Sequence, residues 1–147
     1  MVEWKTSGAT VRLLSGKMDG RSGPMDLASP AFMAHVYVDA EATFEFVFPN
    51  TTHEYAFYVV QAAEPLVVDD KARIGHGDMI RFETGAQKAI LSNPTSQRAQ
   101  IFILGGEPIL TSLHFSGGFV LDSEASIEKA YTRYHTGEMG RLDGVPF

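Results

Sequence analysis

A series of eight short apolar runs constrains the fold of this chain more than any other feature. Each run is four to six residues long and rich in Val, Ile, Phe or Tyr, and turn clusters such as 48–52 and 93–96 separate them. Pro, Gly and Asn in these clusters supply backbone angles that a strand cannot adopt. This regular alternation of short apolar runs and turns predicts an all-β sandwich or barrel. The runs are 10–14, 34–38, 43–48, 55–60, 65–68, 79–82, 87–91 and 100–104.

The apolar pattern differs between runs. Residues 34–39 and 43–48 alternate between apolar and polar side chains, which predicts strands with one buried face and one wet face. Residues 55–60 and 100–104 are more continuously apolar. We therefore expect these two strands to be covered on both faces.

One helix is predicted, over 124–135. Asp122 or Ser123 can accept hydrogen bonds from its first amides, and Gly137 suits the position just after its end. Four apolar residues recur at helical spacing and form one stripe. They are Ile127, Ala130, Tyr131 and Tyr134. Residues 138–147 are predicted to be a loose tail.

Composition limits the class of protein. At 147 residues and 44% hydrophobic content, the chain suits one domain. The net charge of -6 argues against direct binding to nucleic acid, and no stretch approaches the roughly 20 apolar residues of a membrane span. There is no cysteine and no secretory signal, so we expect a cytoplasmic protein.

Four segments carry a family resemblance. Residues 104–110 read Leu-Gly-Gly-Glu-Pro-Ile-Leu, residues 117–123 read Gly-Gly-Phe-Val-Leu-Asp-Ser, and upstream stand 11–16 and 23–25. Together these segments resemble the C-terminal cupin domain of pirins, which are two-domain cupin proteins, and the resemblance covers nearly the whole chain. It implies a double-stranded β-helix, the cupin jelly roll, followed by a short C-terminal α-helix. We expect residues 1–147 to form a single domain of this kind.

The resemblance also bears on activity. In pirins the N-terminal cupin carries the metal-binding histidines and glutamate, and nothing in this chain corresponds to that domain. Some pirin relatives show quercetin dioxygenase activity, but that chemistry belongs to residues absent here. We therefore expect a domain without its own metal centre, acting as a non-catalytic assembly or regulatory module.

The general cupin motifs can be placed on this chain by its turns. His53 takes the position of the first metal-binding histidine, Tyr55 the second, and Val59 or Val60 that of the glutamate. Lys88 replaces the histidine of the second motif, and its ammonium group would repel a cation. Only one good ligand remains, so the sequence predicts no bound metal and no cofactor.

Two other interpretations remain open. His53, Tyr55 and Lys88 could line a metal-free pocket for a small anion, unless Lys88 points outward to solvent from its strand. The chain could also be a small metal-dependent cupin enzyme, a dioxygenase or isomerase, that uses His53 with histidines from other elements.

Aromatic residues near the C-terminus are interface candidates. The resemblance implies that the two cupins of a pirin pack against each other. This domain would therefore have a surface that is normally buried by another domain. The predicted partner is a second copy, giving a homodimer, or a separate cupin-domain protein; alternatively, these residues cap the domain's own core. The candidates are Phe115, Phe119, Ile127, Tyr131 and Tyr134.

The sequence contains two Gly-Gly pairs near the C-terminus. Gly105 and Gly106 form one pair, and Gly117 and Gly118 the other. Neither pair has the spacing of a dinucleotide-binding fingerprint. Both are interpreted as tight turns.

Overall fold

The computed structural model describes residues 2–141. The chain divides into two compact units, Met1–Pro108 and Ile109–Phe147. We call their described parts the barrel unit (2–108) and the C-terminal unit (109–141). The prediction of a single domain over 1–147 stays a prediction.

The barrel unit consists of strands joined by turns. Its strands are β1 (Val2–Thr6), β2 (Ala9–Ser15), β3 (Lys17–Met18), β4 (Arg21–Ser22), β5 (Ala31–Val38), β6 (Ala42–Val47), β7 (Glu54–Gln61), β8 (Leu66–Val68), β9 (Ala72–Ile74), β10 (Met79–Phe82), β11 (Lys88–Asn93) and β12 (Ala99–Gly106). All eight apolar runs lie in these strands to within one residue at either end of the run, which confirms the all-β prediction. The strands β1, β3, β4 and β9 were not predicted.

Two antiparallel sheets form the barrel. One has six strands in the order β1-β2-β5-β12-β7-β10, and the other has four in the order β6-β11-β8-β9. The short strands β3 and β4 form a separate hairpin. Neighbours such as β5 and β12 are far apart in the chain, so the sheets depend on long-range pairing.

Side-chain alternation builds the core between the sheets. In β5 every second residue from Phe32 to Val38 is buried, and in β6 Phe44 and Phe46 are buried. Polar side chains such as Glu45 lie on the opposite face. The alternation predicted for these two strands is confirmed.

The prediction that 55–60 and 100–104 are covered on both faces is wrong. Both strands alternate, because Phe57 and Ile101 are fully buried while Tyr58 and Phe102 lie on the outer face. Phe102 stacks on His35 of the neighbouring strand, with ring centroids 4.8 Å apart. Cross-strand aromatic packing therefore explains the apolar outer positions.

The C-terminal unit is a hairpin and a helix. Strands β13 (His114–Ser116) and β14 (Phe119–Leu121) pair with each other, and α1 spans Glu124–Thr136, against the predicted 124–135. Ser123 is the N-cap, since its Oγ accepts a hydrogen bond from the Ser126 amide at 3.2 Å. Gly137 follows the helix with a φ of 79°, as predicted.

Part of the predicted tail, 142–147, lies outside the described residues. Among residues 2–141, no helix is both long enough and apolar enough to cross a membrane.

Candidate functional site

Aromatic rings fill one end of the barrel interior. Phe46 lies at the centre of this cluster, and its ring centroid is 5.2 Å from Phe48, 5.6 Å from Phe32, 5.8 Å from Tyr55 and 5.8 Å from Phe57. All five side chains are 4% exposed or less. The space between the sheets at this end is therefore occupied by the chain's own side chains.

The position of the Tyr55 ring depends on a glycine in the neighbouring strand. Tyr55 pairs with Gly105 across β7 and β12. A Cβ atom on Gly105 would lie 2.4 Å from the Tyr55 ring, closer than any packed contact. The prediction of a tight turn at Gly105 and Gly106 is therefore wrong: both glycines lie in β12, and Gly105 leaves room for the ring.

The second glycine pair does form a turn. Gly117 has a φ of 54° and joins β13 to β14, as predicted. A side chain there would also meet the Tyr131 hydroxyl, 2.5 Å from an added Cβ.

The Tyr55 hydroxyl group is held by the preceding turn. It accepts a hydrogen bond from the Asn50 amide at 3.2 Å. Burial raises the pKa of the Tyr55 phenol, and the hydrogen bond from Asn50 acts in the opposite direction. The side chain is therefore a neutral phenol at neutral pH, not a phenolate ligand.

His53 lies at the end of the same turn. Asn50 shapes this turn, since its Oδ1 accepts a hydrogen bond from the Thr52 amide at 2.9 Å and its carbonyl accepts one from the His53 amide at 3.2 Å. The His53 ring centroid lies 6.3 Å from that of Tyr55, and the residue is 9% exposed. The turn therefore brings the first two predicted site residues together.

His53 and Tyr55 line a cavity of about 280 Å³. Its walls come from three chain segments, 16–17, 30–32 and 49–55. Phe32, His53 and Tyr55 are buried within it, while Lys17 and Asn50 are exposed at its edge. Pockets at the mouths of β-barrels are common ligand sites.

Lys88 does not belong to this cavity, which corrects its prediction as a pocket residue. Its Nζ lies 2.8 Å from Glu45 Oε2 on the exposed face of the four-stranded sheet. The hydrogen bond from Lys88 to Glu45 raises the pKa of the lysine. Because the next residue, Ala89, is fully buried, strand alternation directs Lys88 to solvent.

The residues at the cupin ligand positions do not fit a metal ion. His53 is the one strong ligand, Tyr55 is a buried neutral phenol, and Val59 is fully buried with no donor atom. Val60, the other position considered for the glutamate, also lacks a side-chain donor. Within residues 2–141, no group of three or more His, Cys, Asp or Glu side chains could hold a metal.

The five interface candidates separate into two groups. Phe119 packs edge-on against Tyr131, with ring centroids 5.1 Å apart, and Ile127 is buried. Phe115 and Tyr134 are instead 73% and 62% exposed. The first group holds the C-terminal unit together, and the second lies on its surface.

Sequence reasoning missed two features of these sites. Lys17 was not predicted to be near His53, because the two residues are distant in sequence. They line the same cavity only because 16–17 lie next to 30–32 in the folded chain. Ile109 and Leu110, which are 68% and 93% exposed, were not predicted as surface residues. Gly16 has a positive φ and forms the turn before Lys17, but a glycine in the sequence indicates only the turn and not the proximity of Lys17 to His53.

Comparison with protein families decides the classification. Residues 33–140 match the model of the pirin C-terminal cupin domain. The chain belongs to this family. A pirin-like protein from Arabidopsis thaliana is 23% identical over 134 residues, which are 90% of this chain and 49% of the plant protein. The chain thus spans about half the length of that curated relative.

Solved structures agree on the fold. A quercetin 2,3-dioxygenase from Acinetobacter baumannii superposes with a TM-score of 0.84 at 15% identity, over 99% of this chain and 48% of the enzyme. A Cupin 2 domain of an XRE-family transcriptional regulator from Enterobacter cloacae gives a TM-score of 0.54 at 14% identity, over 69% of this chain and 99% of that domain. The predicted cupin jelly roll is confirmed.

Proposed function

We propose that this pirin C-terminal cupin domain has no metal centre of its own and acts as a non-catalytic assembly or regulatory module. The aromatic cluster around Phe46 carries the proposal, because it fills one end of the barrel interior with apolar side chains. A metal needs several N or O donors at about 2 Å, and buried phenylalanines offer none.

The donor atoms near the cluster support the same conclusion. His53 alone provides a strong ligand, and Tyr55 is a neutral phenol whose oxygen already accepts a hydrogen bond from Asn50. Lys88, which replaces the second-motif histidine, is paired with Glu45. The metal-dependent enzyme considered as an alternative would need ligands from elsewhere in the chain.

The assembly role rests on apolar side chains of the C-terminal unit. Phe115 and Val120 are directly opposite each other in the β13–β14 hairpin, and contiguous apolar exposure marks protein contact surfaces. Seven of the twelve exposed large apolar residues within 2–141 lie in this unit. They are Ile109, Leu110, Leu113, Phe115, Val120, Tyr134 and Met139. The partner we propose is a second copy of the chain, since a self-complementary patch closes into a dimer.

Charge does not oppose this pairing. Residues 109–141 contain four acidic and three basic side chains, so their net charge is -1. Repulsion between two such surfaces is weak at physiological salt, where the Debye length is about 8 Å. A stable dimer would bury roughly 800 Å² on each partner.

Sedimentation equilibrium at micromolar concentration tests the homodimer. The expected mass is twice the chain mass of 16.1 kDa. Phe115→Ser should shift the equilibrium toward the monomer, because aromatic side chains often dominate binding energy at interfaces.

The matched control is Val47→Ser, which changes an apolar residue that is 58% exposed on the outer face of β6. It should leave the mass of the wild-type dimer unchanged. A mass of 16.1 kDa throughout the concentration range would refute the homodimer. Equal loss of dimer in both variants would refute its location on the C-terminal unit.

A further inference from the structure

The cavity beside His53 has an apolar floor. Phe32 is 4% exposed, and its ring meets that of Tyr55 edge-on at 5.8 Å between centroids. Gly16 packs directly against this floor, since a Cβ there would lie 3.0 Å from the Ala31 carbonyl oxygen and 3.1 Å from the Phe32 ring. The cavity is therefore bounded by close-packed rings and backbone, which favours a flat, apolar ligand body.

Two hydrogen-bonding groups in the same cavity remain unused. The Tyr55 hydroxyl accepts a hydrogen bond from Asn50 but donates to no acceptor within residues 2–141. The His53 ring also has no hydrogen-bond partner in that range, and its nitrogens are not among the fully buried polar atoms. The Tyr55 hydroxyl hydrogen and the His53 ring nitrogens are therefore free to hydrogen-bond to a ligand in the cavity.

The one formally charged side chain at the edge of the cavity, that of Lys17, is positive. Lys17 is the one lysine, arginine or carboxylate residue among its nine lining residues. Within the described part of the chain, Lys17 forms no salt bridge, whereas Lys88 pairs with Glu45. A ligand with an acceptor-rich, negatively charged group therefore complements Lys17, His53 and the Tyr55 hydroxyl.

The volume limits the ligand to a small molecule. About 280 Å³ is slightly below the usual range of ligand pockets, which measure roughly 300–1,000 Å³. A single ring with one substituent fits this space better than a fused ring system.

We propose that this cavity binds a small planar monocarboxylate. The ring of the ligand packs against Phe32 and Tyr55, and its carboxylate accepts hydrogen bonds from His53, the Tyr55 hydroxyl and Lys17. The site is independent of the dimer proposed above and involves neither a metal nor Lys88.

Titration of ¹⁵N-labelled protein with benzoate, followed by amide chemical shifts, tests the site. Benzamide serves as the neutral probe of the same shape. Benzoate should cause saturable shifts at 16–17, 31–32 and 53–55, and benzamide should bind more weakly. Lys17→Met should weaken benzoate binding by about tenfold, the effect of losing one charge-assisted hydrogen bond, and change benzamide binding by less than about twofold.

Two further variants make the test specific. Lys88→Met removes an exposed lysine outside the cavity and should leave both affinities unchanged, whereas His53→Gln should weaken binding of benzoate. Shifts that do not saturate, or that map to other residues, would overturn the site. Equal binding of benzamide and benzoate, or an equal effect of Lys17→Met and Lys88→Met, would overturn the assignment of an anionic ligand.

Discussion

The pair formed by Gly105 and Tyr55 shows how one residue position shapes the barrel interior. Gly105 lies opposite Tyr55 in the six-stranded sheet, and the tyrosine ring covers the glycine backbone. The ring then meets Phe46 and Phe48, at 5.8 Å and 4.9 Å between centroids. The absence of a side chain at Gly105 is thus a condition for the aromatic cluster.

We predict that Gly105→Ala destabilises the protein by about 1–3 kcal/mol, the usual cost of overpacking a core. The added methyl group would lie 2.4 Å from the Tyr55 ring. Gly106→Ala is the matched control in the same strand, because its nearest neighbour would be the Pro30 carbonyl oxygen at 3.5 Å, an ordinary contact. It should change the free energy of unfolding by less than about 0.5 kcal/mol.

Urea denaturation of the three proteins measures both values. Equal unfolding midpoints for the two variants would show that the Tyr55 ring does not limit the space at Gly105.

Site residues were predictable from sequence only where local structure determines them. His53 and Tyr55 follow a turn that Pro49 and Asn50 mark, so their proximity could be inferred. Lys88 was placed by motif position alone, although the buried Ala89 and Leu91 beside it indicate an outward orientation. Lys17 depends on contacts between distant segments, and no local pattern reveals those.

Among the elements, the helix α1 depends on packing for its stability. It has 13 residues, a length at which isolated helices are marginal in water. Tyr131 joins it to the β13–β14 hairpin through the edge-on contact with Phe119, and its hydroxyl lies 3.3 Å from Ser116 Oγ. Tyr134 lies mostly in solvent.

We predict that Tyr131→Ala speeds amide hydrogen exchange in α1 by at least about fivefold, equivalent to a loss of about 1 kcal/mol. The loss is smaller than the roughly 3–5 kcal/mol for a fully buried aromatic residue, because Tyr131 is only half-buried. Tyr134→Ala, the control on the exposed side, should change the exchange rate by less than about twofold. Unchanged exchange in Tyr131→Ala would show that this ring does not hold the helix.

Element prediction succeeded for most strands and for the helix. The eight apolar runs became strands, and the helix was marked by Ser123 and Gly137 at its ends. The strands β3 and β4 have two residues each, too few for a periodic signal. Apolar residues on the outer faces of β7 and β12 made these strands look buried on both faces. Phe102, for example, is apolar because its ring stacks on His35 of β5, and the sequence alone does not distinguish such a residue from a core residue.

At the scale of the whole molecule, the chain combines a cupin jelly roll with an interior that its own side chains fill. Fold and family are established by the match to the pirin C-terminal cupin domain, whereas activity depends on the residues of the site. Here Phe46 and its neighbours occupy one end of the interior, and His53 is the one strong ligand at the cupin positions. The central claim is therefore that this domain does not bind a catalytic metal.

Elemental analysis of untagged protein, expressed in medium supplemented with iron, manganese and nickel, tests this claim most directly. We predict far less than one equivalent of any transition metal per chain, with no difference between wild type and His53→Ala. A metal content near one equivalent that disappears in His53→Ala would contradict the account and favour a metal-dependent cupin enzyme.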